Sequence, residues 1–225
     1  MLKIVDIATN FEEGLLSPLV KCYQEVFSAE PWREWKKCSV CGQKWGIEER
    51  PLLEEIGFSH CQEPLDDFWP EKTVREDIKK EITPESSAWV AVSATGRVVG
   101  FCWGYPISDE KLAEKIGLPS LAEILRAKYP LLLEKGEGVV GYQDEIGVVK
   151  DFRRQGLAKI LKAKQMEDFR SKGLTLVACR TQTQPPTVTL GWDLRLGYEV
   201  VARYSDQDPE DSRVILARPL AGLIV

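Results

Sequence analysis

The segment Arg153-Arg154-Gln155-Gly156-Leu157-Ala158 lies between an apolar run ending at Val149 and a helical pattern opening at Gly156. A helix start presents backbone N–H groups that have no intrahelical acceptor, and it adds partial positive charge. Gly156 lets the main chain approach an anion without a Cβ in the way, and Ala158 keeps the next turn slim. Arg153 and Arg154 supply fixed positive charge. A diphosphate fits this chemistry.

A second group is built from sulfur. Six cysteines occur in the chain, and three of them crowd between Cys38 and Cys61. Cys38-Ser-Val-Cys41-Gly42 has the two-residue gap and following glycine of a zinc knuckle, in which two thiolates reach one ion. His60 and Cys61 supply a second pair, and His60 is the only histidine in the sequence. Adjacent side chains diverge in an extended segment, so joint ligation by both requires a turn; Cys22 or a carboxylate could take the place of His60. Four filled positions make such a site structural, since hydrolytic zinc keeps one position for water. Free buried thiols or a disulfide are the alternatives. Trp32, Trp35 and Trp45 near this insert, residues 36–64, supply either its small core or a partner surface. Cys102 and Cys179 lie in apolar runs and read as core.

The elements that must position these groups follow from periodicity. Leu2, Ile4 and Ile7 predict a short strand, and Leu16, Leu19, Val20, Tyr23, Val26 and Phe27 share one helical face. Val74, Ile78 and Ile82 predict a second helix after Pro70. Ala88–Val92 and Val98–Trp103 flank a turn containing Gly96 and predict a hairpin. Pro106–Glu137 reads as a mostly polar, helical excursion off the sheet. A strand from Tyr142 to Val149, a loop to Gln155 and a helix stopped at Gly173 follow, with Leu157, Ile160 and Leu161 on the helix's buried face and Lys164 interrupting it. Leu174–Cys179, Tyr198–Arg203 and Val214–Ala217 predict strands, and Val188–Leu196 a helix. The expected architecture is one mixed α/β domain over residues 1–225 carrying the insert.

The formal charge of -5 and a pI near 5.2 give no broad basic field, which disfavours nucleic acid or anionic lipid as the primary partner. The stretch MLKIVDIATNFEE lacks the zones of an export signal, and no run of about 18 apolar residues exists to span a bilayer. With thiols clustered as metal ligands, a cytoplasmic protein is expected.

Glu145-Ile146-Gly147-Val148, followed by Phe152-Arg153-Arg154-Gln155-Gly156-Leu157-Ala158, resembles the acetyl-CoA-binding signature of GNAT acyltransferases, Arg/Gln-x-x-Gly-x-Gly/Ala after an apolar strand. Arg195-Leu196-Gly197-Tyr198 resembles the family's closing Lys-Leu-Gly-Phe, and the order of elements agrees over most of the chain outside the insert and the excursion. The resemblance implies a mostly antiparallel sheet flanked by helices, with acetyl-CoA as cosubstrate and an amine as acceptor. It implies strands splaying at Ile146 and Val177, the pantetheine arm bonded to the backbone of Ile146 and Val148, and the Ile146 N–H holding the thioester carbonyl.

An alkylamine has a pKa of about 10.4, so it arrives as ammonium and must lose a proton before attack. Glu145 is the candidate base, and Tyr142 the other contender, at a strand position where some family members carry a glutamate. Many members reprotonate the thiolate with a tyrosine; four residues before Gly197 this chain has Asp193 instead. Asp193 can donate only if burial keeps it protonated, and water can serve in its stead. The absent tyrosine and the insert favour an alternative function, a non-catalytic acyl-CoA-binding or zinc-dependent interaction module. A homodimer is compatible with either reading.

Overall fold

The computed structural model describes residues 2–9, 13–183, 188–205 and 212–220. Strand β1 (Lys3–Asp6) leads to α1 (Glu13–Ser28), whose Leu16, Leu19, Val20, Tyr23, Val26 and Phe27 are all buried, as their spacing requires. The insert follows as β2 (Lys36–Lys37), β3 (Lys44–Trp45), α2 (Arg50–Glu55), β4 (Ser59–His60), β5 (Glu63–Pro64) and β6 (Asp66–Asp67). Helix α3 (Glu71–Glu81) starts directly after Pro70 and buries Val74 and Ile78.

Strands β7 (Ser87–Val92) and β8 (Val98–Ser108) are joined by a turn in which Gly96 has a φ of +80°. Strand β8 runs past Pro106, so the excursion starts later than predicted. Its true stop is Ser108, whose Oγ accepts the Lys111 N–H at 3.2 Å and caps α4 (Asp109–Ile116). Helices α5 (Leu121–Lys128) and α6 (Pro130–Lys135) complete the excursion. Then come β9 (Val139–Val148), α7 (Leu157–Ser171), β10 (Leu176–Gln182), α8 (Val188–Arg195), β11 (Glu199–Ser205) and β12 (Ser212–Pro219).

On α7 the buried residues are Leu157, Leu161, Lys162, Gln165, Met166 and Phe169, whereas Ile160 is exposed. The inward stripe therefore passes to one side of Ile160, contrary to the sequence expectation, and Lys164 lies off it.

These elements form a mixed, mostly antiparallel seven-stranded sheet flanked by helices, in the order β1-β7-β8-β9-β10-β12-β11. The chain divides into two compact units: Met1–Thr83, Trp89–Phe101 and Gly147–Leu161; and Pro84–Ala88, Cys102–Ile146 and Lys162–Val225. In the first unit β1 pairs antiparallel with β7, and α1 packs Tyr23 against Phe27 and Phe101 at centroid distances of 4.5 and 5.7 Å. Gly147 is required there, because a Cβ would stand 2.5 Å from the Phe101 ring. The insert holds two ribbons, β3-β2-β6 and β4-β5, over a core of Cys38, Trp45, Leu53 and Leu65.

In the second unit β10 and β11 each pair antiparallel with β12, and β10 runs parallel to β9. Alternate residues of β10 serve two cores: Leu176 and Ala178 join Tyr142, Leu112, Leu125 and Leu133, while Val177 and Cys179 join Met166, Phe169 and Tyr198. Among the described residues no helix is long and apolar enough to cross a membrane.

Candidate functional site

The parallel ladder between β9 and β10 pairs Gly141 with Val177, Tyr142 with Ala178 and Gln143 with Cys179, and ends there. Strand β10 continues to Gln182 on its other partner, β12, while β9 runs on to Val148. The β9 edge beyond Gln143 is thus released from β10, and a released edge offers N–H and C=O groups to an extended ligand. Divergence sets in after Cys179. Val177, expected to lie in the splayed part, is still paired.

Beyond β9, a single helical turn at Lys150–Phe152 leads to the predicted anion loop. Arg154 and Gly156 have φ of +63° and +79°, and a Cβ on Gly156 would meet nothing within 4 Å. The Ile160 N–H bonds to the Gly156 carbonyl at 3.1 Å, which leaves the earlier amides of Leu157, Ala158 and Lys159 at the open helix start. The two arginines differ. Arg153 turns back, donating from Nε to the Val148 carbonyl at 2.9 Å and from Nη1 to that of Glu30 at 2.8 Å, whereas Arg154 is exposed. Arg153 therefore clips the loop in place, a role its spacing did not announce. Gln155 donates to the Asp151 carbonyl at 3.0 Å.

Glu145 is half-buried. Tyr142 is 1% exposed, and burial, with Asp144 next, pushes its hydroxyl well above the usual phenol range. Asp193 is fully buried; its Oδ1 accepts from Lys162 Nζ and its Oδ2 from the Cys179 thiol at 3.5 Å. Both oxygens of Asp193 thus act as acceptors.

Sequence reasoning missed the network around this carboxylate. Tyr198 donates to Gln143, Gln143 donates to Gln165 at 2.9 Å, and the Lys162 ammonium lies 4.4 Å from the Tyr198 ring centroid. Its signal was present: Lys162, Gln165, Met166 and Phe169 fall at i, i+3, i+4 and i+7 of α7, a stripe that is half polar yet buried.

In the first unit, Cys38, Cys41, His60 and Cys61 bring their donor atoms within 4.8 Å of one another. His60 Nδ1 lies 3.5 Å from the Cys41 sulfur and 3.3 Å from that of Cys61. Bonds of ~2.0–2.3 Å at the tetrahedral angle set ligands roughly 3.4–3.8 Å apart, so the spacing fits a zinc-sized ion. The turn that joint ligation demanded comes from positive φ at both Cys61 (+49°) and Gln62 (+68°). Contact with His60 draws the Cys38 thiol down to about 6, while Cys41 drives that of Cys61 up to about 11. Crowded thiols that ionise at one another's expense are the donor set a divalent cation relieves. Cys22 stands outside the group, buried on α1, where desolvation raises its thiol far above its ordinary value.

The acetyltransferase (GNAT) family model matches residues 54–188. No curated protein sequence matches the chain. Among solved structures, Arabidopsis thaliana NAA60 in complex with acetyl-CoA is similar with a TM-score of 0.59 at 14% identity, over 99% of this chain and 100% of that one. The Drosophila melanogaster polyamine N-acetyltransferase, which catalyses the formation of N-acetylagmatine, gives 0.58 at 15% identity, over 97% and 100%. The Escherichia coli ribosomal-protein-S18-alanine N-acetyltransferase gives 0.55 at 13%, over 100% and 99%. At these identities the neighbours speak for the fold; the family model, spanning more than half of the sequence, carries the assignment. The chain belongs to the GNAT family and is an acetyl-CoA-dependent N-acetyltransferase.

Proposed function

We propose that the protein transfers acetyl from acetyl-CoA to a primary amine by direct attack in a ternary complex. The observation that carries this reading is the end of the β9–β10 ladder at Gln143 and Cys179, which releases the edge of β9 beyond Gln143. In this reading the amides of Gln155 to Ala158 hold the diphosphate, with Arg154 adding charge and Arg153 and Leu157 shaping the loop. The pantetheine arm runs along the backbone of Ile146 and Val148.

Glu145 takes the ammonium proton through water, since Tyr142 is too deeply buried to ionise. The free amine attacks the thioester carbon, and the Ile146 N–H meets the oxyanion. The carbon–sulfur bond breaks, and the thiolate, with a thiol pKa of about 8.5, leaves and takes its proton from water. Asp193 has no part in that step, because both of its oxygens are engaged as acceptors.

The quartet Cys38, Cys41, His60 and Cys61 is assigned to a structural zinc ion that holds the insert and takes no part in turnover. Its four donors leave no open position.

Calorimetry with coenzyme A and thiol release with an amine panel test the enzyme reading. Binding heat and amine-dependent thiol release are expected in the parent, both much reduced in Arg154→Glu. An Arg154→Glu protein equal to the parent in both assays overturns the placement of the diphosphate.

A further inference from the structure

We infer that Asp144, walled by the Tyr105 and Tyr142 rings, is the seat of the acceptor's ammonium group, and that Lys115 occupies this seat until an alkylammonium substrate displaces it. The inference rests on the acetyl-transfer reading above and names the class of acceptor.

The Asp144 side chain is only 8% exposed. Its Oδ2 accepts the Tyr105 hydroxyl at 2.7 Å and meets the Lys115 ammonium at 3.2 Å. The same ammonium stands 5.6 Å from the Tyr105 ring centroid and 6.0 Å from that of Tyr142, and the two rings meet edge to face. A carboxylate backed by two aromatic faces is an environment that organic cations select over neutral or anionic groups.

The position of this seat suits the reaction. On one face of β9, Gln143 donates to Gln165 and accepts from Tyr198. Asp144 projects on the other face, among Tyr105, Tyr142 and Lys115. Ile146 follows two residues later, roughly 6.6 Å along an extended strand. An ammonium held by Asp144 therefore lies within one side-chain length of a thioester carbonyl bound to the Ile146 N–H.

Charge explains why Lys115 must yield. The Arg180 guanidinium, half-buried, also acts electrostatically on Tyr142 and Asp144. Asp144 already faces two cations, so a third meets repulsion, whereas exchange for Lys115 keeps the count constant. Lys115 can leave: it sits on the last turn of α4, two residues before Gly117 at a φ of +73°, and its side chain is 34% exposed. Arg180 lies on β10 and stays. An acceptor without positive charge gains nothing from the exchange.

The test uses the full chain saturated with coenzyme A, titrated calorimetrically with butylamine, charged at neutral pH, and with aniline, uncharged there. Lys115→Gln is expected to bind butylamine about fivefold tighter than the parent, and Asp144→Asn at least about tenfold more weakly, with aniline indifferent to both changes. In thiol-release assays with acetyl-CoA, Lys115→Gln lowers the butylamine KM at constant kcat, whereas Glu145→Gln lowers kcat.

A Lys115→Gln protein that binds butylamine no better than the parent overturns the inference, as does aniline following the same pattern. If Asp144→Asn fails to fold, Lys115→Gln decides alone. If the parent gives no heat with coenzyme A itself, the acetyl-transfer reading falls, and that failure is seen before any amine is added.

Discussion

The insert and the interior of the second unit hold ionisable side chains together in opposite ways. In the insert, Cys41 and Cys61 are exposed, and the supporting core is four buried side chains with Trp35 and Phe58 leaning on it. In the second unit, Lys162, Asp193, Cys179, Gln143 and Tyr198 are sealed beneath two extensive apolar clusters. Ribbons of two-residue strands bury little apolar surface, so on the proposed zinc site the insert's geometry depends on its polar ligands. The second unit reverses that dependence, because its apolar mass is large enough to carry a buried ion pair.

The strongest way to break this contrast is to challenge the proposed zinc site with a chelator. Structural zinc contributes on the order of 10 kcal/mol to small domains, far more than a four-residue core supplies. Chelation, or Cys61→Ser, should melt residues 36–64 while the second unit keeps its protection; hydrogen exchange read segment by segment checks this. Full protection of the insert in metal-free protein would remove the ligand dependence altogether.

The second unit should break from its polar centre. Removing one partner of a buried ion pair leaves an uncompensated charge and costs about 3–5 kcal/mol. Asp193→Ala is expected to lower the melting temperature by roughly 6–11 °C for a chain of this size, with metal content unchanged. The paired change Lys162→Met with Asp193→Leu, which removes both charges, should recover most of the loss. Failure of the double variant to recover would mean that Asp193 acts through Cys179 or α8 rather than through Lys162.

This contrast also marks what the sequence could disclose. The order of elements, the strand–loop–helix unit around Gly156 and the grouping of Cys38, Cys41, His60 and Cys61 were legible, because each starts from local spacing: an apolar run into Gly156, or Cys38-x-x-Cys41. The buried network was not. Lys162 and Gln165 look like solvated helix positions until Asp193 and Tyr198, some thirty residues on, are brought against them. Arg153 likewise carries its family's phosphate signature, yet its guanidinium reaches back to carbonyls at Val148 and Glu30, the latter contributed by a segment far upstream. The seat at Asp144 joins β8, β9 and α4, and no single stretch of residues contains it.

Alkaline pH should sharpen the comparison. Burial raises Tyr142 and Tyr198 well above the usual phenol value. A raised folded value favours the neutral form, so the stability it confers is complete below the unfolded pKa of about 10 and is lost as pH rises above it. Each such tyrosine then costs about 1.4 kcal/mol per pH unit. Urea melts between about pH 9 and 11 should show falling stability of the second unit, with phenolate absorbance from these two rings appearing only on unfolding. The insert contains no tyrosine and contributes nothing to the phenolate signal.

The smallest expected effect comes from two matched glycines. Gly42 in the insert has a φ of +75° with nothing within 4 Å of an added Cβ; Gly197 in the second unit has +83°, its nearest neighbour being Arg218 Nε at 3.9 Å. Alanine meets no clash at either place, so both substitutions carry only the left-handed backbone penalty of about 1–2 kcal/mol. That common penalty should surface in different observables. With the insert folded by the proposed zinc site, Gly42→Ala should weaken metal retention against a competing chelator by roughly five- to thirtyfold and leave the main melting transition in place. Gly197→Ala should lower that transition by a few degrees with metal retention intact. Equal shifts of the main transition in both variants would mean that the insert is held by apolar packing after all.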